Sequence, residues 1–257
     1  MMSLMRLIRA ELLKLKNTPL VAVAVWVAIM PAAMVALIYL TQNGDQDTIW
    51  KWDSFVNAIM QIWLQLIMTL FIGAIAAQYL AIEHSGNAWK VIFSTPVSKG
   101  SVVIAKWCIT VLLVVISFIV LIVTMYAGAA ILQLVGSHAE LMPQAFDYLS
   151  DDMVMIGATF VAALGIMTIQ YILAFVVRMM SVPIIVAVAG FMAATMAAGR
   201  ELLLHLLPWA WPYQVYLQTI DSPNAGVSIP YALIASVVVS LVGLCGMVLY
   251  IRRRDEL

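Results

Sequence analysis

"EHSGNAWKVIFSTPVSKG" runs from Glu83 to Gly100, and apolar sequence lies immediately on either side of it. The preceding run, Val56–Ile82, and the following run, Val102–Val135, are each long enough to cross a bilayer, for which a helix needs about 20 predominantly apolar residues. A polar stretch with two glycines and a proline therefore interrupts two membrane spans. The whole chain has 257 residues, 65% hydrophobic and 10% charged. A soluble domain is nearer half apolar and a quarter charged, and this chain lacks the polar surface to cover a water-facing globule.

Working outward from that break, six spanning windows are expected: Pro19–Leu40, Val56–Ile82, Val102–Val135, Met153–Val177, Val182–Gly199 and Ser228–Ile251. The runs are continuous and lack period-two alternation, so the expected class is all-α integral membrane protein rather than barrel. The third window exceeds one perpendicular crossing and is expected to tilt or project. The thirteen basic and thirteen acidic residues balance, so no global field draws nucleic acid, and the position of each charge is what informs.

Lys and Arg occupy alternate loops. Arg6, Arg9, Lys14 and Lys16 precede the first span, Lys90 and Lys99 follow the second, Arg178 follows the fourth, and Arg252, Arg253 and Arg254 follow the sixth. The intervening loops carry Asp45, Asp47 and Asp53 against Lys51, then Glu140, Asp147, Asp151 and Asp152 with no base. The positive-inside rule puts both termini and the 83–100 loop in the cytoplasm. The loop before the sixth span, with Arg200, Glu201 and Asp221, is placed outside by parity. The apolar run of the first span is too long for the core of a signal peptide. The closing "RDEL" stands beside three arginines on the cytoplasmic side, where a luminal retrieval signal has no use.

Residues 1–18 hold Leu4, Leu7, Ile8, Leu12 and Leu15 at helical spacing, with Arg6, Arg9 and Lys16 off that stripe. This predicts an amphipathic helix in the headgroup plane, the alternative being an extension of the first span. Cys108 and Cys245 fall inside apolar runs and read as small hydrophobes rather than a disulfide.

Several chemistries are missing from the sequence. There is no G-x-x-x-x-G-K-[ST] phosphate loop and no H-E-x-x-H, and His84, His138 and His205 lack metal-ligand spacing. The spans hold almost no ionisable side chains, which weighs against proton-coupled pumping. Their polarity is amide and hydroxyl. Gln61, Gln65 and Thr69 recur at i, i+4 and i+8, followed by Gly73, and form either a substrate path or helix–helix glue. Ala189, Ala193 and Ala197 form a small-residue stripe suited to close helix contact.

The 83–100 loop itself reads as Glu83, a flexible Ser85-Gly86, a short helix "NAWKVIFS" and a stop at Pro96. On that helix Trp89, Ile92 and Phe93 can share a face while Lys90 points elsewhere. Either a protein-contact knob or an interfacial turn with a tryptophan in the headgroup belt fits these residues.

The segment resembles the first cytoplasmic loop of ABC-2 type ATP-binding cassette permeases, most closely the small lantibiotic-immunity permeases, whose loop has the form E-x-x-x-G-x-W-K-x-x-x-x-x-P-V-S-K with A-K soon after. Glu83, Trp89, Lys90, Pro96, Val97, Ser98, Lys99, Ala105 and Lys106 fit, and Gly86 departs slightly in spacing. The resemblance implies a coupling loop in which Glu83, Gly86, Trp89, Lys90, Phe93, Pro96 and Lys99 dock on a separate ATPase subunit. It implies a second permease copy or relative as partner, ATP and Mg held by the ATPase and not by this chain, and a bacterial cytoplasmic membrane as location. Arg200–Gly226, with Pro208, Pro212, Trp209, Trp211, Tyr213 and Tyr216, resembles the outer re-entrant helices of related permeases, expected over 200–227. The whole is one transmembrane domain, expected to export an amphipathic peptide, lipid or drug. A secondary transporter or channel without an ATPase partner is the main alternative, and an intramembrane enzyme a further one, but the halves do not repeat and no catalytic pair is visible.

Overall fold

A backbone in lipid must satisfy its N–H and C=O groups within its own segment, so apolar runs of this length become helices. A computed structural model describes residues 4–16, 18–41, 51–85, 98–135, 141–177, 179–197, 199–221 and 231–253, and every element among them is helical. Helix α1 is Leu4–Leu15 and α2 is Leu20–Thr41. The expected second span comprises α3, Trp52–Ile62, a π-helical segment, Trp63–Ile67, and α4, Met68–Ser85. Next come α5, Lys99–Leu134, α6, Leu141–Asp147, and α7, Leu149–Val176. The chain continues through α8, Ser181–Met196, α9, Glu201–Leu206, a 3-10 turn at Pro208–Ala210, α10, Trp211–Asp221, and α11, Tyr231–Arg253.

Five segments are long and apolar enough to cross a membrane: Leu20–Thr41, Trp52–Ile82, Lys99–Leu134, Leu149–Val176 and Tyr231–Arg252. Where the sequence suggests a span over Val182–Gly199, α8 has 16 residues, about 24 Å of rise against a hydrocarbon core of about 30 Å. The helix ends at Met196 with Ala197 as its C-cap, and Gly199 redirects the backbone just beyond. The Gly199 φ of 83° is left-handed backbone, which glycine adopts without penalty and which commonly terminates helices. Among the described residues there are thus five helices of spanning length and one shorter apolar helix, where six spans were expected. At 36 residues, α5 rises about 54 Å, longer than one perpendicular crossing, as its apolar window implies.

Helix α7 forms the centre, packed against α4, α5, α8, α10 and α11. Helix α2 lies on α5, and its buried Ala24, Ala28 and Ala32, spaced four residues apart, let helix backbones close up. The seam between α7 and α11 is built from hydroxyls and small residues. Ser236 Oγ accepts from the Gly165 N–H at 2.8 Å and donates to the Ala162 carbonyl at 2.7 Å. One helical turn on, Thr168 and Ser240 share a hydrogen bond of 2.7 Å, and the Trp107 indole of α5 donates to Thr168 at 3.1 Å. Gln170, fully buried on α7, is oriented to donate to the Pro183 carbonyl of α8 at 2.9 Å and accept from the Ala187 N–H at 3.3 Å.

Both described chain ends lie at one end of the bundle, here called the base. Gly100 in the first turn of α5 faces Val248 of α11, and α1 packs on α5 two turns further along. The described part of the expected re-entrant stretch, 200–221, folds inward. Trp209 lies flat against Gly190 of α8, Trp211 packs beside Gly165 near the middle of α7, and the Trp211 indole donates to the His205 carbonyl at 2.9 Å. These two rings are therefore packed against helices rather than arrayed as an interfacial belt. Ala189 of the expected small-residue stripe is exposed and Ala197 buried, while Pro183, Ala187 and Gly190 make the close contacts of α8.

A Cβ at Gly73 would lie 2.8 Å from Ala187 Cβ and 3.1 Å from the Pro183 carbonyl, whereas one at Gly157 would meet nothing within 4 Å. Gly73→Ala is expected to cost about 1–3 kcal/mol by forcing α4 from α8, and Gly157→Ala to be neutral. Thermal unfolding in lipid nanodiscs measures both, and equal melting temperatures for the two variants would contradict the packing.

Candidate functional site: a buried ion pair at the base

The loop singled out by the sequence joins α4 to α5. Gly86, Trp89, Lys90, Phe93 and Pro96 lie outside the described residues; Glu83 falls on the last turn of α4 and Lys99 opens α5. What the structure describes is the pair of helix ends that hold this loop, and the groups that join them.

Ser98 is the N-cap of α5. Its backbone is extended, and its Oγ accepts from the Ser101 N–H at 3.3 Å, satisfying one of the donors that a helix start leaves open. The serine of the P-V-S-K motif thereby fixes where the helix begins. Two turns later stands Lys106, 1% exposed. Its Nζ lies 3.0 Å from Glu11 Oε1 on α1 and 5.3 Å above the Tyr79 ring on α4. The Tyr79 hydroxyl donates to Glu11 Oε2 at 2.7 Å, and Lys14 contributes a third donor to Glu11 Oε1 at 3.0 Å. One carboxylate therefore joins α1, α4 and α5.

The cluster explains how α1 is used. The expected apolar stripe splits: Leu15 is buried, Leu7 and Ile8 are half-buried, and Leu4 and Leu12 remain exposed. Glu11, between Ile8 and Leu15, is buried with them. The helix is docked through this face, while Arg6, Arg9 and Lys16 point outward. Burial alone would raise the Glu11 pKa, but the Lys106 charge and the hydrogen bonds from Tyr79, Lys14 and Lys106 outweigh it and hold the carboxyl below its ordinary value of 4.5.

A second polar centre closes the far end. Asp152, in the first turn of α7, is buried and accepts at Oδ2 from the Trp52 indole at 2.9 Å and the Tyr126 hydroxyl at 2.8 Å. Gln144 Oε1 of α6 accepts from the Trp52 backbone N–H at 2.8 Å. Asn57 Oδ1 of α3 accepts from the Tyr216 hydroxyl of α10 at 2.8 Å.

The hydroxyl–amide series of the second span runs from surface to core. Gln61 is exposed and donates to Asn57 at 3.3 Å, Gln65 is half-buried, and Thr69 is 1% exposed. Gln65 sits within the π segment, whose wider turn breaks the regular 3.6-residue spacing that puts i, i+4 and i+8 on one face. Trp63, which opens the segment, is fully buried, and its indole N–H has no hydrogen-bond partner among the described residues. An unpaired buried donor costs about 1–3 kcal/mol. Sequence reasoning found Lys106 through a motif but missed Glu11, Tyr79, Trp52 and Asp152, whose partners lie 68 to 100 residues away.

Lys106→Met strands Glu11 and is expected to destabilise by about 3–5 kcal/mol, whereas Glu11→Leu with Lys106→Met removes both charges and is expected to approach wild type. Thermal melting of the wild type and both variants checks this, and a double variant no more stable than Lys106→Met would refute it. The pair also sets a pH response. A depressed carboxyl pKa stabilises fully above the ordinary value of 4.5 and less as pH falls through the folded value. Proteolytic release of α1 is therefore expected to stay flat from neutrality to about pH 5 and to rise below about pH 4.5.

A family model described as ABC-2 family transporter protein matches residues 7–195, from the first turns of α1 almost to the end of α8. Comparison with curated proteins and with solved structures gives no match. The matched region contains the ion pair, the π segment and four of the five helices of spanning length. A multi-pass helical membrane architecture and a family match over most of the chain agree: this protein belongs to the ABC-2 family of transporter proteins and is a transmembrane component of a transporter.

Proposed function

We propose that the chain is the permease subunit of an ATP-driven exporter in a bacterial cytoplasmic membrane. In this reading the base faces the cytoplasm, with both termini, and α8 with the inward-folded residues 200–221 completes a six-crossing topology with an outer re-entrant segment. The chain carries no phosphate loop, so energy comes from a separate ATP-binding cassette subunit holding ATP and Mg. A second copy, or a related permease, completes the pathway. The substrate class is amphipathic: an antimicrobial peptide, a drug or a lipid.

The observation that carries this reading is the setting of two motif residues. Ser98 caps the helix that leaves the loop, and Lys106 locks that helix to α1 and α4. A loop mounted on helices fixed to one another transmits a push instead of absorbing it. ATP-driven closure of the ATPase pair would shift the base as a unit and switch the helices between two packed arrangements.

Trp89 is the natural anchor of the loop. An aromatic group at an interface centre contributes about 2 kcal/mol or more, a loss of roughly thirtyfold in affinity on truncation. Trp89→Ala is expected to leave the chain inserted yet to lose the ATPase on co-purification, whereas Lys90→Ala, a rim charge, changes little. Normal co-purification and normal ATP turnover with Trp89→Ala would remove the coupling role. For sidedness, cysteine at the exposed Phe146 is expected to react with an impermeant maleimide from outside intact cells, and cysteine at the exposed Ser98 is not. Outside labelling at Ser98 would invert the topology.

A further inference from the structure

We propose that the π segment Trp63–Ile67 is the hinge of the transport cycle, the joint at which α4 turns against α3 while α5 pivots as a rod. The proposal rests on the ATP-driven reading for what drives the motion, but not for the existence of the joint.

Three observations carry it. First, the two halves of the second span are tied to different ends of the bundle. Helix α3 is held at the far end by Trp52 on Asp152 and Gln144 and by Asn57 on Tyr216. Helix α4 is held at the base by Tyr79 on Glu11. Second, α5 is a single α-helix of 36 residues tied to both ends, through Lys106 at the base and through Tyr126 on Asp152 at the far end. If this rod swings about its far-end tie, its base moves, and Glu11 carries α1 and α4 with it. Helix α3 remains with Asp152. The difference in motion between α4 and α3 must then be absorbed between them, where the π segment lies.

Third, the segment is built to yield. A π turn holds an extra residue in a wider ladder, and that residue can shift along the helix without breaking it. Trp63 at its head stands edge-on to Phe118 of α5, with ring centroids 5.6 Å apart, and Phe71 of α4 lies 6.3 Å away. Its buried N–H, without a partner among the described residues, is a store of free energy that a second arrangement can release. Aromatic faces against the rod on one side and the moving half-helix on the other make Trp63 the pivot.

The test deletes one residue. Removing the exposed Leu66 converts the π ladder to a regular α ladder while preserving the facing of Trp52 and Tyr79. Removing the exposed Ile119 from α5, which has no π turn to absorb the loss, rotates one half of that helix against the other. In the complex with the ATPase, the Leu66 deletion is expected to assemble and to lose ATP turnover by about tenfold or more, and the Ile119 deletion to fail to assemble. Spin labels at Leu13 on α1 and Phe146 on α6 are expected to change separation on ATP binding in the wild type and not in the Leu66 deletion, with the Ser54–Phe146 separation constant in both. In the chain alone in nanodiscs, amide exchange at residues 67–71 is expected to exceed that at 113–118 of α5 and to fall to the same rate in the deletion.

Wild-type turnover or label movement in the Leu66 deletion overturns the hinge. So does its failure to assemble, which denies that the extra residue is removable, and so does slow exchange at 67–71 in the wild type. If ATP moves no label in the wild type, the ATP-driven reading falls, and the exchange comparison still decides the hinge.

Discussion

A carboxylate and an ammonium that leave water together each forfeit several kcal/mol of hydration, and they recover it only where every remaining lone pair and proton finds a partner. Glu11 and Lys106 meet that condition with Tyr79 and Lys14. The condition is geometrically demanding, and much of the base follows from it. Ile8 and Leu15 must face the protein because Glu11 between them does. Helix α4 must present Tyr79 and α5 must present Lys106 to the same point. The start of α5 is set by the Ser98 cap two turns earlier, so the two helix ends that hold the loop stand at a fixed relation.

Away from the base the constraint changes character. Lipid is as apolar as leucine, so helix association there draws on close packing and hydrogen bonds rather than on escape from water. The seam of Ser236 and Ser240 against Gly165 and Thr168 uses both, since a small residue allows the approach that brings a hydroxyl to a backbone group. Gly73 against Ala187 and Gly190 under Trp209 repeat the solution without hydroxyls. The rim helices show the contrast: 28% of the spanning window of α2 and 22% of that of α11 are buried, against 56% for α7.

The spans were legible because length and hydropathy are local properties. Leu20–Thr41 and Lys99–Leu134 fall within a few residues of the windows read from sequence. What composition left open shares a cause, which is that helix ends, helix periods and partners depend on geometry that composition does not carry. Val182–Gly199 is apolar throughout, yet the backbone turns at Gly199. Gln61, Gln65 and Thr69 share a face only if the helix keeps 3.6 residues per turn, and the π segment does not. Asp152 counted as a loop charge, yet it is buried under Trp52 and Tyr126. Glu11 drew no attention in the sequence because its partner Lys106 is 95 residues away. The motif of the 83–100 loop stood out through family resemblance alone; elementary chemistry left the loop as either a docking knob or an interfacial turn.

The seam between α7 and α11 bears on how the chain is made. Helix α7 leaves the ribosome carrying Asp152, Thr168, Gln170 and Tyr171, all polar and all buried in the finished molecule. Partners for Asp152 and Tyr171 lie on α3 and α5 and have already been synthesised. The Ser236 and Ser240 hydroxyls are translated more than 70 residues after the groups they meet. Helix α7 therefore enters the bilayer with one face satisfied by waiting neighbours and another still open. Helix α11, made later, is the one that closes it, so a nascent chain cut short before α11 would expose a hydroxyl and glycine face to lipid, a mark by which membrane quality control can tell a chain that has α11 from one that does not.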